Sequence, residues 1–150
     1  MSQLLNERCV VFDIDAQKKE DVLAVMVERL KEAKKIADAQ LFLKDVQARE
    51  AISPTFVGFG LGMPHGKTDN VLEAAICFGR LKNPVVWDPE SRDTADMVIM
   101  IAVPDAEAGD THLDILAKLS RNMMHDDFRN SLRTNGQTEV FEILTEALEG

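Results

Sequence analysis

The chain has 150 residues, 45% of them hydrophobic and 29% charged, with a formal net charge of −9. That balance suits one domain, residues 1–150, large enough to bury a real core, and the acidity argues against a nucleic-acid partner, whose phosphates need a basic footprint. No apolar run is long enough to cross a bilayer and the first residues lack a basic-then-apolar leader, so the expectation is a cytoplasmic protein without direct membrane insertion.

The short β-branched run Cys9-Val10-Val11-Phe12-Asp13-Ile14 predicts a first strand. Asp15 offers an N-cap for an amphipathic helix over 16–35, in which Val22, Val25, Met26, Leu30 and Ala33 recur at helical spacing. A second helix is expected over 38–52, with Leu41, Phe42, Val46 and Ala48 on its apolar side. It stops at Ser53-Pro54, because proline disfavours helix in the residue before it. The segment 58–67, Gly-Phe-Gly-Leu-Gly-Met-Pro-His-Gly-Lys, reads as a stiff, small-residue turn presenting one imidazole.

Residues 74–81 predict a strand, and 84–89, bounded by two prolines, an edge segment whose Trp87 packs over the sheet edge. The run Met97 to Val103 is apolar without alternation, the pattern of a central strand buried on both faces. Thr111-His112-Leu113-Asp114 resembles a capping box opening a helix to about 124, with Leu113, Leu116 and Ala117 inward. A short helix over 127–133 and a last one over 138–148 complete the chain. Strands interleaved with helices predict an α/β domain, a mixed and mostly parallel sheet flanked by helices.

Three residues are candidates for chemistry. His65 stands among glycines whose uncovered N–H groups could form a concavity for anions, with Lys67 adding positive charge. His112, at a predicted helix start beyond a strand end, would feel a field that favours the neutral imidazole. Arg49, just before the proline and glycine segment, carries a fork that can grip phosphate. His125 reads as exposed and structural. The Walker pattern fails, because its first glycine would fall on Leu61. No Gly-x-Ser-x-Gly elbow supports a hydrolase. Three histidines without a suitable cysteine pair predict no metal site, and Cys9 and Cys77 read as buried or incidental thiols.

Arg49-Glu50, the approach from Thr55 to Gly62, the core Met63-Pro64-His65-Gly66-Lys67, and Ile101-Ala102-Val103-Pro104 followed by Thr111-His112-Leu113-Asp114-Ile115-Leu116 together resemble a known family. It is the enzyme IIA domain of the mannitol/fructose class in the bacterial sugar phosphotransferase system (PTS), and the similarity covers nearly the whole chain. The resemblance implies a phosphoryl carrier without cofactor or metal. His65 would accept phosphate on Nε2 from the phosphohistidine of HPr or an HPr-like domain. It would then pass it to a cysteine of a sugar-specific enzyme IIB on a separate chain, which serves a membrane IIC component. His112 would stabilise the phosphoryl group, and Arg49 would belong to the same pocket. Gly62 stands where the family commonly has alanine. The segment Glu107-Ala108-Gly109-Asp110-Thr111-His112 looks more fructose-like than mannitol-like. The other role the resemblance allows is that of the nitrogen-related branch, a regulatory phosphoprotein that controls partners by binding.

Overall fold

The structure is a computed structural model; it describes residues 4–149, with the side chains of 107–112 outside the described set. In chain order the elements are β1 (Leu5–Ile14), α1 (Lys19–Glu32), α2 (Ala39–Ile52), β2 (Phe56–Gly58), β3 (Leu61–Gly62), β4 (His65–Thr68), β5 (Ala75–Val86), β6 (Thr94–Pro104), a 3-10 turn (Asp105–Glu107), α3 (Ala108–Met123), α4 (Asp126–Thr134) and α5 (Gln137–Glu149). The sheet runs β1-β5-β6-β3-β2, with β4 also paired to β6. β1–β5, β3–β6 and β4–β6 are parallel; β5–β6 and β2–β3 are antiparallel. This is the mixed α/β sheet expected, with parallel pairs in the majority.

β6 is its spine. Every residue from Met97 to Ala102 is fully buried, which requires cover on both faces, as the unbroken apolar run predicted. α1 packs on β1 and β5 and against α2, which lies over β4. α5 packs on β1 and α3 on β6, and α3, α4 and α5 pack together.

Several local expectations differ from the structure. β1 begins four residues before Cys9, because Ile76 N–H donates to Leu4 O (2.7 Å) and draws polar residues 6–8 into a ladder that is irregular there. Asp15 does not cap α1. The N-cap is Lys18, whose side chain makes no cap hydrogen bond. At the first helical residue, the Lys19 ammonium donates to Trp87 O (3.0 Å). α2 follows its signals, with Asp38 accepting from Leu41 N–H (3.2 Å) and Ser53 ending it. Its inward residues are Phe42, Val46 and Glu50, while Leu41 and Ala48 are exposed. Among the described residues of α3 the buried ones are Ile115, Leu119 and Met123; Leu113 and Ala117 are exposed and Leu116 is half-buried. Cys9 and Cys77 are both buried, on neighbouring strands. Burial pushes the Cys77 thiol well above its usual range, so it stays protonated.

Residues 84–86 extend β5 instead of forming a separate edge segment. Proline is tolerated there because β1 has already ended, its last partner in β5 being Leu81 opposite Ile14. The register with β6 also slips between Arg80 and Val85. Trp87, expected over a sheet edge, is fully buried against β3. A Cβ on Gly62 would lie 2.5 Å from Trp87 Cε2, so the missing side chain makes room for this indole. Gly62→Ala is expected to destabilise the protein by about 1–3 kcal/mol through overpacking and to shift the emission of the sole tryptophan. Urea unfolding followed by tryptophan fluorescence checks this; unchanged stability and emission would refute the packing argument.

Candidate functional site

Residues 58–67 do not form a turn around an imidazole. Gly58, Phe59 and Gly60 have φ of 91°, 57° and 75° and make the tip of the β2–β3 hairpin, where glycine relieves the left-handed backbone. β3 and β4 then lie end to end along β6. Leu61 pairs with Met97, Gly62 with Val98, His65 with Ile101 and Gly66 with Ala102, one constant offset. Met63-Pro64 interrupts the strand without changing its register. Proline has no N–H for the ladder, Met63 N–H turns away to Thr55 O (2.7 Å), and Pro64 O recovers the pairing by accepting from Ile101 N–H (3.0 Å). His65 is therefore the first residue of a strand anchored to the most buried element of the fold.

The hairpin tip is held from outside. The Arg129 guanidinium stacks on the Phe59 ring (3.8 Å), and Arg133 donates to Phe59 O (2.5 Å) and pairs with Asp96 (2.9 Å). Gly60 O accepts from Asp96 N–H (2.9 Å). The glycines of this stretch thus stand at separate places in the fold. Gly58 and Gly60 serve the turn, Gly62 makes room for Trp87, and Gly66 alone among them borders the space beside His65.

That space is a pocket of about 360 Å³ lined by Asp45, Ala48 and Arg49 of α2 and His65, Gly66 and Lys67 of β4. The structure so brings two sequence candidates, Arg49 and His65, together with Lys67. His65 is half-buried, and its Nδ1 lies 3.3 Å from Met63 O. A carbonyl can only accept, so this contact is a hydrogen bond when Nδ1 carries the proton. Arg49 Nη1 donates to Ser53 O (2.9 Å), and among the described residues no carboxylate pairs with Arg49. Among the described lining residues, two cations stand against one carboxylate, Asp45, a net positive set suited to an anion.

Asp45 was not among the sequence candidates. Its signal is the four-residue spacing from Arg49, which puts both on one helix face. His112 lies in α3, but its side chain is outside the described residues. The capping-box start at Thr111 is not observed. α3 begins at Ala108, because β6 runs through Pro104 into a 3-10 turn that feeds the helix directly. His112 therefore falls beyond the first turn, where the helix-terminus field fades, and the field argument for its neutrality does not apply. His125 is exposed at the α4 N-cap, as expected.

A larger cavity, about 770 Å³, has no histidine among its described lining residues. It is lined by the start of α1, the end of α2 and residues 86–90. The smaller pocket sets an imidazole beside cations, whereas the larger mixes Lys18 and Lys19 with Glu20, Glu50, Asp88 and Glu90. Among the described residues no group of three or more His, Cys, Asp or Glu side chains is placed to hold a metal ion, and no helix is long and apolar enough to cross a membrane.

The α/β domain thus sets a half-buried histidine at a strand start, beside an arginine and a lysine, in a pocket whose described lining suits an anion. A sequence profile described as "Phosphoenolpyruvate-dependent sugar phosphotransferase system, EIIA 2" matches residues 3–147, and the chain belongs to that family. It is 34% identical over 117 residues, 77% of its length, to the PTS 2-O-alpha-mannosyl-D-glycerate-specific EIIABC component of Escherichia coli K12, of which it spans 18%. It is 34% identical over 132 residues to the PTS fructose-specific EIIA component of Haloferax volcanii, covering 87% of this chain and 85% of that one. The crystal structure of nitrogen regulatory protein IIA-Ntr from Neisseria meningitidis superposes with a TM-score of 0.85 at 27% identity, covering 94% of this chain and 96% of the other.

Proposed function

We propose that this protein is a cytoplasmic phosphoryl carrier, a single EIIA unit over residues 1–150, that receives phosphate on Nε2 of His65 and hands it to a cysteine of a sugar-specific enzyme IIB. The observation that carries this reading is the shared pocket of His65, Arg49 and Lys67, together with the Met63 carbonyl beside Nδ1. With the proton on Nδ1, the lone pair of Nε2 is available to attack phosphorus. The P–N bond to the donor, a phosphohistidine of HPr or an HPr-like domain, breaks as the new P–N bond forms, and the donor imidazole leaves with its electron pair. In the second step a IIB thiolate attacks, an S–P bond forms, and Nε2 of His65 is released.

Such transfers pass through loose transition states and need positioning and charge more than covalent help. Arg49 supplies donors to the phosphoryl oxygens and Lys67 a second positive charge, while His112 on α3 stabilises the phosphoryl group. Membership of the family supports HPr as donor. The A, B and C components in the name of the mannosylglycerate relative support IIB as acceptor, with a membrane IIC beyond it. The fructose-specific relative supports a fructose-like sugar.

Incubation with enzyme I, HPr and phosphoenolpyruvate is expected to add one acid-labile phosphoryl group to the intact mass; no such addition sinks the proposal. Arg49→Ala is expected to slow acceptance on the order of 10²-fold, the scale for losing one oriented donor, with Arg49→Lys recovering only part because an ammonium lacks the fork. Rapid-quench measurement of phosphorylation checks it, and a wild-type rate in Arg49→Ala would remove Arg49 from the mechanism.

The likeness to a nitrogen regulatory protein favours a second reading, in which phosphorylation of His65 changes which protein is bound. Transfer of labelled phosphate from this protein to a IIB domain separates the two. Transport requires it, and regulation by binding does not.

A further inference from the structure

Glu50 is one residue from Arg49 yet does not line the His65 pocket. It is a carboxylate buried at 7% exposure, and three donors converge on it. Lys19 Nζ lies 2.5 Å from Oε1, Thr55 N–H donates to Oε1 (3.2 Å), and Thr55 Oγ1 donates to Oε2. Lys19 is held in turn by Trp87 O (3.0 Å). The contacts continue toward the site. Thr55 O accepts from Met63 N–H (2.7 Å), and Met63 O stands 3.3 Å from His65 Nδ1. The far side of the Met63 carbonyl is set by Pro64, whose own carbonyl accepts from Ile101 N–H of β6.

A buried ion pair is weak evidence for stability. Apolar residues of similar volume often do as well or better, because both charges lose their hydration. This pair gains something those residues cannot supply, a fixed position for Thr55 and, through one backbone hydrogen bond, for the Met63 carbonyl. We propose that Lys19, Glu50 and Thr55 form a positioning relay that holds the Met63 carbonyl on Nδ1 of His65 and so keeps the ring in its Nδ1-protonated tautomer, with Nε2 unprotonated. Free imidazole side chains favour the opposite neutral tautomer, with the proton on Nε2, so the carbonyl must be held in place to reverse that preference. Lys19 and Glu50 are positioning residues; neither touches the phosphoryl group. The relay deepens the phosphoryl-carrier proposal, and its kinetic consequence rests on that reading.

The test uses the full chain, uniformly 15N-labelled, in three forms: wild type, Lys19→Met/Glu50→Leu, and Glu50→Gln. The double variant replaces the ion pair by apolar groups of similar size and is expected to melt at or above the wild-type temperature. Its long-range imidazole 1H–15N spectrum is expected to show the neutral His65 ring moved toward the Nε2-protonated form, with phosphoryl acceptance roughly tenfold slower or more, the scale of a modest misplacement. Glu50→Gln keeps one acceptor oxygen and is expected to lie between the two in both readouts. If the double variant fails to fold, Glu50→Gln carries the test alone. A folded variant with the wild-type tautomer signature overturns the relay, as does a wild-type ring that is already Nε2-protonated. A wild-type protein that takes no phosphate sinks the carrier proposal instead, while the spectra still decide the relay.

Discussion

His65→Ala is expected to abolish phosphoryl acceptance outright. Among the described residues no other histidine lines the pocket, and arginine and lysine in it offer charge, not a reversible acceptor. The substitution removes a half-buried ring at the start of an otherwise intact strand. The fold is expected to survive, since the β4 pairing uses backbone groups from Pro64 to Thr68 against β6. Circular dichroism should match the wild type while the intact mass after incubation with enzyme I, HPr and phosphoenolpyruvate stays that of the bare chain. An acid-labile phosphoryl group on the folded variant would show that the acceptor lies elsewhere, with His112 and His125 the residues to examine.

Gly66→Ala is expected to have the next largest effect, on stability and activity together. A Cβ at Gly66 would fall 2.7 Å from Phe42 Cε1 and 3.3 Å from Val46 Cγ2, and both side chains are fully buried in α2. The missing side chain thus sets how closely α2 approaches β4. The described walls of the pocket belong to those two elements, so the same distance sets how far Arg49 stands from His65. The added methyl is expected to cost about 1–3 kcal/mol, read as a fall in Tm of several degrees. By opening the pocket it should also slow phosphoryl acceptance on the order of 10²-fold, the scale for a misplacement of about 1 Å. Thermal melts and rapid-quench assays on one preparation check both. Lost stability with an unchanged rate would show that the α2–β4 spacing does not govern the site.

Phe42 and Gly66 show how far local patterning reaches. Phe42 was expected on the inner face of its helix and is there, but nothing near it in sequence marks the glycine it covers. The same limit explains α2 and α3. Periodicity finds that a helix has an apolar side, yet Leu41, Ala48, Leu113 and Ala117 were assigned inward and lie exposed. Which residues go inward depends on how the helix is rotated against its neighbours, and in α3 also on an earlier start. Asp15 likewise is not the cap of α1, whose first residue, Lys19, donates to Trp87 O, 68 residues away.

By itself the sequence determined the chemistry-bearing residue types and their local frame. His65 after proline, Arg49 near a helix end, the Asp38 cap and the buried run of β6 are all carried by side-chain identity and short-range spacing, which survive any arrangement of the rest. Only the tertiary structure decided what the glycines do. Their roles come from remote partners: Trp87 behind Gly62, Phe42 behind Gly66, and Arg129 and Arg133 over the tip at Phe59. It likewise decided that the segment offering the imidazole is a strand and that Glu50 faces away from the pocket its neighbour Arg49 lines. The physical reason is the same throughout. Backbone preference and hydrophobic period act over a few residues, whereas close approach and buried pairing are settled by whichever distant element fills the space.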